Sequence, residues 1–200
     1  MVDQTCCGGH SNVALDASVT EIPNYAFKNC HTLLSIAIPP SVTKIGSNSF
    51  YGCKYLRSVT MRGNSVISIG QFAFSWCISL VYINLPTSIT SIGPNCFDSC
   101  ISLPSIQIPT SISVINDYVF QSCFTLYKIV IPSSITTIST GSFASCTNLT
   151  EVFIPSNVKS IGPNSFKTCK FKCVNWDPSI RRTIDTSAFP TNSNVQCGKS

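Results

Sequence analysis

The phrase Phe-x-x-Cys recurs seven times along this 200-residue chain at nearly constant spacing. Its phenylalanines are Phe27, Phe50, Phe74, Phe97, Phe120, Phe143 and Phe166, each followed three residues on by Cys30, Cys53, Cys77, Cys100, Cys123, Cys146 or Cys169. The step is 23 residues, with one step of 24 between Phe50 and Phe74. Self-similarity at this period marks a solenoid, because one repeat of this length cannot bury its own apolar face and must stack on a neighbour.

Residues 126 to 148 stand for the other repeats. Leu126, Ile129, Ile131 and Pro132 form a phrase that returns at Leu33, Ile36, Ile38, Pro39, at Leu80, Ile83, Leu85, Pro86, at Leu103, Ile106, Ile108, Pro109 and at Leu149, Val152, Ile154, Pro155. Alternation of period two predicts a short strand, and proline ends it because it cannot donate to a ladder. A second extended edge follows, with inward aliphatics three apart at Ile135 and Ile138, matched by Val42 and Ile45 and by Ile89 and Ile92. Gly46, Gly70, Gly93 and Gly162 are then expected to turn the chain at positive φ and to lead into a short helical turn carrying Phe and Cys. Stacked in register, seven steps of ~4.8 Å give a body on the order of 34 Å long, with parallel interior columns of Leu, Ile, Phe and Cys.

The phrase Ile-Pro-x-Ser-Ile-Thr-x-Ile-Gly-x-x-x-Phe-x-x-Cys-x-x-Leu resembles the leucine-rich repeat of the BspA-like, or treponemal, type found in bacteria and in protist surface proteins. The resemblance implies an α/β, mostly β, leucine-rich-repeat solenoid of about eight coils, with a parallel strand sheet on the concave face and short helical turns opposite. It also implies adhesins and protein-binding scaffolds as functional analogues, with no catalytic residues to carry over. The solenoid is expected over residues 12–190, between an N-terminal tail or cap at 1–11 and a C-terminal tail at 191–200.

Charged residues are only 10% of the chain, against roughly 25% in an average globular domain. Ser, Thr and Asn therefore wet the surface. The net charge of +5 is unevenly placed: no Lys or Arg lies between Asn64 and Leu126, whereas Lys159, Lys167, Lys170, Lys172, Arg181 and Arg182 crowd the last coils. A solvated end cap is the plainer reading of that cluster, since polyanion binding requires Lys and Arg along one continuous face. No nucleic-acid partner is expected. Met1 to Gly9 lacks the apolar stretch of a secretory leader, although a leader already removed would leave the same pattern, and no run of ~20 apolar residues predicts a membrane span. The resemblance implies a cell-surface or secreted location; a cytoplasmic one is the alternative.

Twelve cysteines invite a disulfide reading that the spacing opposes. Ladder cysteines point inward side by side, and parallel Cβ vectors fit the disulfide dihedral badly. They are read as buried free thiols acting as small apolar side chains. Cys96 replaces the serine seen at Ser49 and Ser142. Cys6 and Cys7 lie in the tail, where metal binding and acylation are minor readings. Aligning Phe171, Val174 and Trp176 with Leu149, Val152 and Ile154 puts Cys173 at an outward position equivalent to Lys128 and Glu151. From there it could bridge to Cys197.

Nothing in the chain has the pattern of a catalytic set. His10 and His31 are the only histidines and neither has a companion carboxylate at a suggestive spacing; phosphate-loop, nucleophile-elbow and metal motifs are absent. No catalysis, cofactor or metal is expected. The strand pattern directs attention instead to two outward columns: Ser35, Ser58, Tyr82, Ser105, Lys128, Glu151, and Ala37, Thr60, Asn84, Gln107, Val130, Phe153. Tyr82, Asn84, Gln107, Tyr127, Lys128, Val130, Glu151 and Phe153 are the candidate binding residues, because clustered exposed aromatics mark protein contact sites. Lateral packing along a sheet is the structural alternative for the same residues, and Lys128 with Glu151 reads as a surface ion pair. Asn148-Leu149-Thr150 is the one glycosylation sequon, of a kind that chance also supplies.

The sequence therefore predicts a non-enzymatic domain that binds a protein partner, such as a host or cell-surface protein, or a glycan, through its concave face. A scaffold module without a dedicated ligand and glycan or polyanion binding by the C-terminal basic cluster are the alternatives. Oligomeric state is not encoded in any feature of the chain.

Overall fold

The computed structural model describes residues 11–171, 173–176 and 186–190. Two ladders of parallel strands run the length of the molecule. The first contains β1 (Asn12–Ala14), β3 (Ser35–Ile38), β5 (Ser58–Met61), β7 (Tyr82–Ile83), β9 (Ser105–Gln107), β11 (Lys128–Val130), β13 (Glu151–Ile154) and β15 (Cys173–Trp176). The second contains the two-residue strands β2 (Glu21–Ile22), β4 (Lys44–Ile45), β6 (Ser68–Ile69), β8 (Ser91–Ile92), β10 (Val114–Ile115), β12 (Thr137–Ile138) and β14 (Ser160–Ile161). Each coil thus contributes one strand to each ladder, about seven turns in all. The expected alternation holds: Ile36, Val59, Ile106, Ile129 and Val152 are buried while their strand neighbours face outward.

Inside, equivalent residues form columns. Consecutive rings from Phe27 to Phe166 stack with centroids 5.0 to 5.5 Å apart and planes within 15° of parallel. Phe189, one period beyond Phe166, adds an eighth ring at 5.0 Å and 11°, although no cysteine follows it three residues on. Burying each such ring is worth about 1.5 to 3 kcal/mol, so the column is a principal source of cohesion between coils.

The segment carrying Phe and Cys is not helical, which corrects the expected helical turn. In the first coil the N–H groups of Tyr25, Phe27 and Asn29 donate to Ser47, Ser49 and Tyr51 of the next coil, while those of Ala26, Lys28 and Cys30 donate back to Pro23, Tyr25 and Phe27. A helix would direct every N–H along its own axis and leave none for the neighbouring coil. Alternating donors instead tie each turn to the next, and the segment becomes a third lateral ladder.

That conformation requires φ near +60° at two sites per coil, two residues before and two after each phenylalanine. Glycine fills only two of these, Gly52 and Gly141. Asn29, Asn48, Asn95 and Asn164 suit the left-handed region, but Tyr25, Phe72, Trp76 and Tyr118 also occupy it, at roughly 1 to 2 kcal/mol each.

The glycines expected to supply positive φ do something else. Gly46, Gly70, Gly93 and Gly162 have ordinary φ, and a Cβ on Gly46 or Gly70 would stand 2.5 Å from the backbone nitrogen of Asn24 or Ser47. Glycine is used there because two backbones approach closely.

The strand face is continuous in pairing only in parts: β1-β3-β5-β7, then β9-β11, then β13-β15. Pro104 lies at the first gap and lacks the N–H with which Leu34, Arg57, Val81 and Tyr127, at the same place in their coils, donate to the previous coil. The second ladder breaks at the same place, between β8 and β10. There the side-chain amide of Asn116 donates to the Ile92 carbonyl at 2.7 Å and spans the gap.

Candidate functional site

The candidate residues are placed by the pleat of the first ladder. Tyr127 (56% exposed), Val130 (64%), Phe153 (60%) and Tyr82 (54%) all face solvent. Lys128, Glu151 and Gln107 are exposed as well. Gln107, Tyr127, Lys128 and Val130 line one open depression over the β9–β11 pair, together with Ser105 and Thr110. Val130 and Gln107 are register partners within it. Glu151 and Phe153 follow on β13, which packs beside β11 without ladder pairing. Among the described residues no ion pair joins Lys128 to Glu151, so the expected surface bridge is not formed.

Tyr82 and Asn84 stand apart, on the far side of the gap at Pro104. Asn84 is half-buried, and its side chain is committed to the fold: its Oδ1 accepts from the Met61 N–H at 2.8 Å and its Nδ2 donates to the Met61 carbonyl at 3.0 Å. The amide thereby takes the place of a strand pairing, and β7 stops at Ile83. Toward the first coils the face becomes small and hydroxyl-rich, with a second depression lined by Asn12, Ser35, Ser58 and Thr60.

The ladder thiols of Cys30, Cys53, Cys77, Cys100, Cys123, Cys146 and Cys169 are buried, as expected, and Cys96 joins them. They are more than apolar filler. The Sγ of Cys53 donates to the Phe27 carbonyl of the preceding coil at 2.9 Å, and Cys77, Cys100, Cys123, Cys146 and Cys169 repeat the bond at 3.1 to 3.3 Å. Each of those carbonyls also accepts the N–H of its own coil's cysteine, so both lone pairs are used. Desolvation raises six of these thiols, Cys77, Cys96, Cys100, Cys123, Cys146 and Cys169, above their ordinary range, Cys169 to about 12. They are therefore protonated donors at physiological pH, and poor nucleophiles.

Among the carboxyls, hydrogen bonds from Ser18 lower the pKa of exposed Asp16, and Asp98 shifts the other way. Partial burial raises its carboxyl, while the hydroxyls of Ser99 and Ser75 oppose the shift. Among the described residues no group of three or more His, Cys, Asp or Glu could hold a metal ion. Nor, among the described residues, is any helix long and apolar enough to cross a membrane. Cys173 pairs in register with Glu151, as the alignment expects. Cys197, Cys6, Cys7, His10, Lys172, Arg181 and Arg182 lie outside the described residues. Asn148 is exposed in a turn.

Residues 5–123 and 67–196 match the BspA type leucine rich repeat region, in six copies. A leucine rich cell surface protein from Faecalibacterium prausnitzii is 32% identical with a TM-score of 0.79, over 85% of this chain and 48% of its own. The leucine rich repeat protein of T. pallidum is 28% identical with a TM-score of 0.75, over 88% and 82%. A leucine-rich repeat protein from Bacteroides ovatus is 25% identical with a TM-score of 0.65, over 84% and 52%. The chain thus spans about half the length of the F. prausnitzii protein. No curated protein matches it. The repeat phrase, the parallel coils and these similarities agree, and the chain belongs to the BspA type leucine-rich-repeat family.

Proposed function

We propose that this chain is a non-enzymatic protein-binding module, of adhesin or scaffold type, that takes its partner on the strand face over β9, β11 and β13. The observation that carries the reading is three large apolar side chains turned to solvent on neighbouring strands: Tyr127 and Val130, which line the depression, and Phe153 on β13 beside it. Outward strand positions elsewhere hold Ser35, Ser58, Thr60 and Ser105, so the fold itself does not require apolar residues there. Exposed aromatic and aliphatic anchors rimmed by Gln107, Lys128 and Glu151 suit a contact with an apolar centre and a polar edge. Because the F. prausnitzii relative is described as a cell surface protein, a cell-surface location belongs to the same proposal.

A photoreactive amino acid placed at Val130 tests it, with Ser91 on β8 as the control position. In the source cell the Val130 probe should cross-link one discrete protein that the Ser91 probe does not. Equal labelling from both positions, or none from Val130, contradicts the reading.

A further inference from the structure

The left-handed positions of the turn edge carry a second pattern. Two residues before the core phenylalanine, the first, third and fifth coils hold Tyr25, Phe72 and Tyr118 at φ of 63°, 54° and 56°, whereas the second and fourth hold Asn48 and Asn95. Bulky residues in this region are genuine outliers, and such strain concentrates where a surface is used. Asparagine at the alternate coils shows what the fold accepts without that strain. Tyr25 and Tyr118 are exposed and Phe72 is half-buried.

The alternation also sets geometry. The Cδ1–Cε1 edge of the Tyr118 ring lies against Gly141 of the next coil, in the place a Cβ there would take, and the ring remains partly open to solvent. Successive rings of the row are two coils apart, about 10 Å at one strand spacing per coil. In an extended β-1,4-linked glycan every second sugar presents the same face, and that disaccharide repeat is close to the two-coil step. Sugar C–H faces pack on the electron-rich faces of aromatic rings. Asn48 and Asn95, at the alternate positions of the row, and Lys28, whose Nζ lies over the Tyr25 ring 5.2 Å from its centre, offer partners for sugar hydroxyls.

We propose that the turn edge is a carbohydrate-binding surface on which Tyr25, Phe72 and Tyr118 act as stacking platforms for a linear β-1,4-linked glycan. This surface lies on the turns, apart from the strand face, and does not depend on the protein partner proposed above.

Calorimetric titration with chitohexaose and cellohexaose, with maltohexaose as the α-linked control, tests the assignment. The native chain should bind at least one β-linked hexamer at least tenfold more tightly than the α-linked one. The triple variant Tyr25→Asn, Phe72→Asn, Tyr118→Asn installs the residue that the same column already uses, so it should fold, and it should lose at least tenfold in affinity. Thermal melting read alongside separates the roles: an unchanged or raised Tm with lost binding supports the platforms. No binding of either β-linked hexamer by the native chain, or undiminished binding by the triple variant, overturns the proposal.

Discussion

The Sγ of Cys123 donates a hydrogen bond to the Phe97 carbonyl oxygen of the preceding coil at 3.2 Å. Repeated along the molecule, this contact lets the smallest sulfur side chain both fill the core and link neighbouring turns.

The thiol bond predicts an order among substitutions. Cys123→Ala removes the donor and leaves a small void, and should cost about 1 to 3 kcal/mol. Cys123→Ser keeps a donor at the same site and should cost less than Ala despite its greater polarity. Urea denaturation of both variants checks the order; a serine variant less stable than the alanine one would mean that only apolar volume matters.

The same burial gives a pH dependence. In the unfolded chain a thiol ionises near its ordinary value of 9.0, while Cys169 in the fold ionises only at about 12 and the other shifted thiols also lie higher than usual. The folded state therefore holds more protons than the unfolded one between these limits, and stability falls as pH rises through them, by about 1.4 kcal/mol per pH unit for each fully shifted thiol. Urea midpoints attributable to these groups should stay level from pH 6 to 8 and drop steeply above 9. A midpoint unchanged at pH 10.5 would contradict thiol burial.

The inward and outward columns predict opposite sensitivities. Phe120→Ala opens the aromatic stack and should cost about 3 to 5 kcal/mol, whereas Ser105→Ala on the exposed face should stay within about 0.5 kcal/mol. Comparable losses in urea melts would reverse the assignment of faces.

Gly93 and Ser122 separate the two reasons for glycine in these turns. A Cβ on Gly93 would collide with the backbone nitrogen of Gln71, so Gly93→Ala should destabilise by about 1 to 3 kcal/mol. Ser122 has φ of 56°, so Ser122→Gly relieves a left-handed residue and should be neutral or stabilising by about 1 kcal/mol. Thermal melts of the pair decide whether approach or φ governs each site.

The strand face was legible in the chain because period-two alternation and a fixed step determine which side of a short strand is wet; even the register of Cys173 opposite Glu151 follows from alignment alone. The turns were not. Their conformation is imposed by lateral hydrogen bonding between coils, and no local preference would put Tyr25, Phe72, Trp76 or Tyr118 at positive φ. Spacing gives Asn84 an outward position, but its amide turns back to the Met61 backbone, a long-range partner that spacing does not reveal. Phe189 falls outside the Phe-x-x-Cys phrase because no cysteine follows it three residues on, and only the 23-residue step from Phe166 marks its place in the column.

The protein-binding assignment is tested most directly by titration calorimetry with the cross-linked partner after purification. Val130→Ser combined with Phe153→Ser should weaken binding at least tenfold, or about 1.4 kcal/mol, while Lys44→Ala combined with Lys54→Ala, at exposed positions away from the depression, should leave affinity unchanged. Native-like affinity in the Val130 and Phe153 variant, with unaltered stability, would contradict the placement of the partner on the strand face.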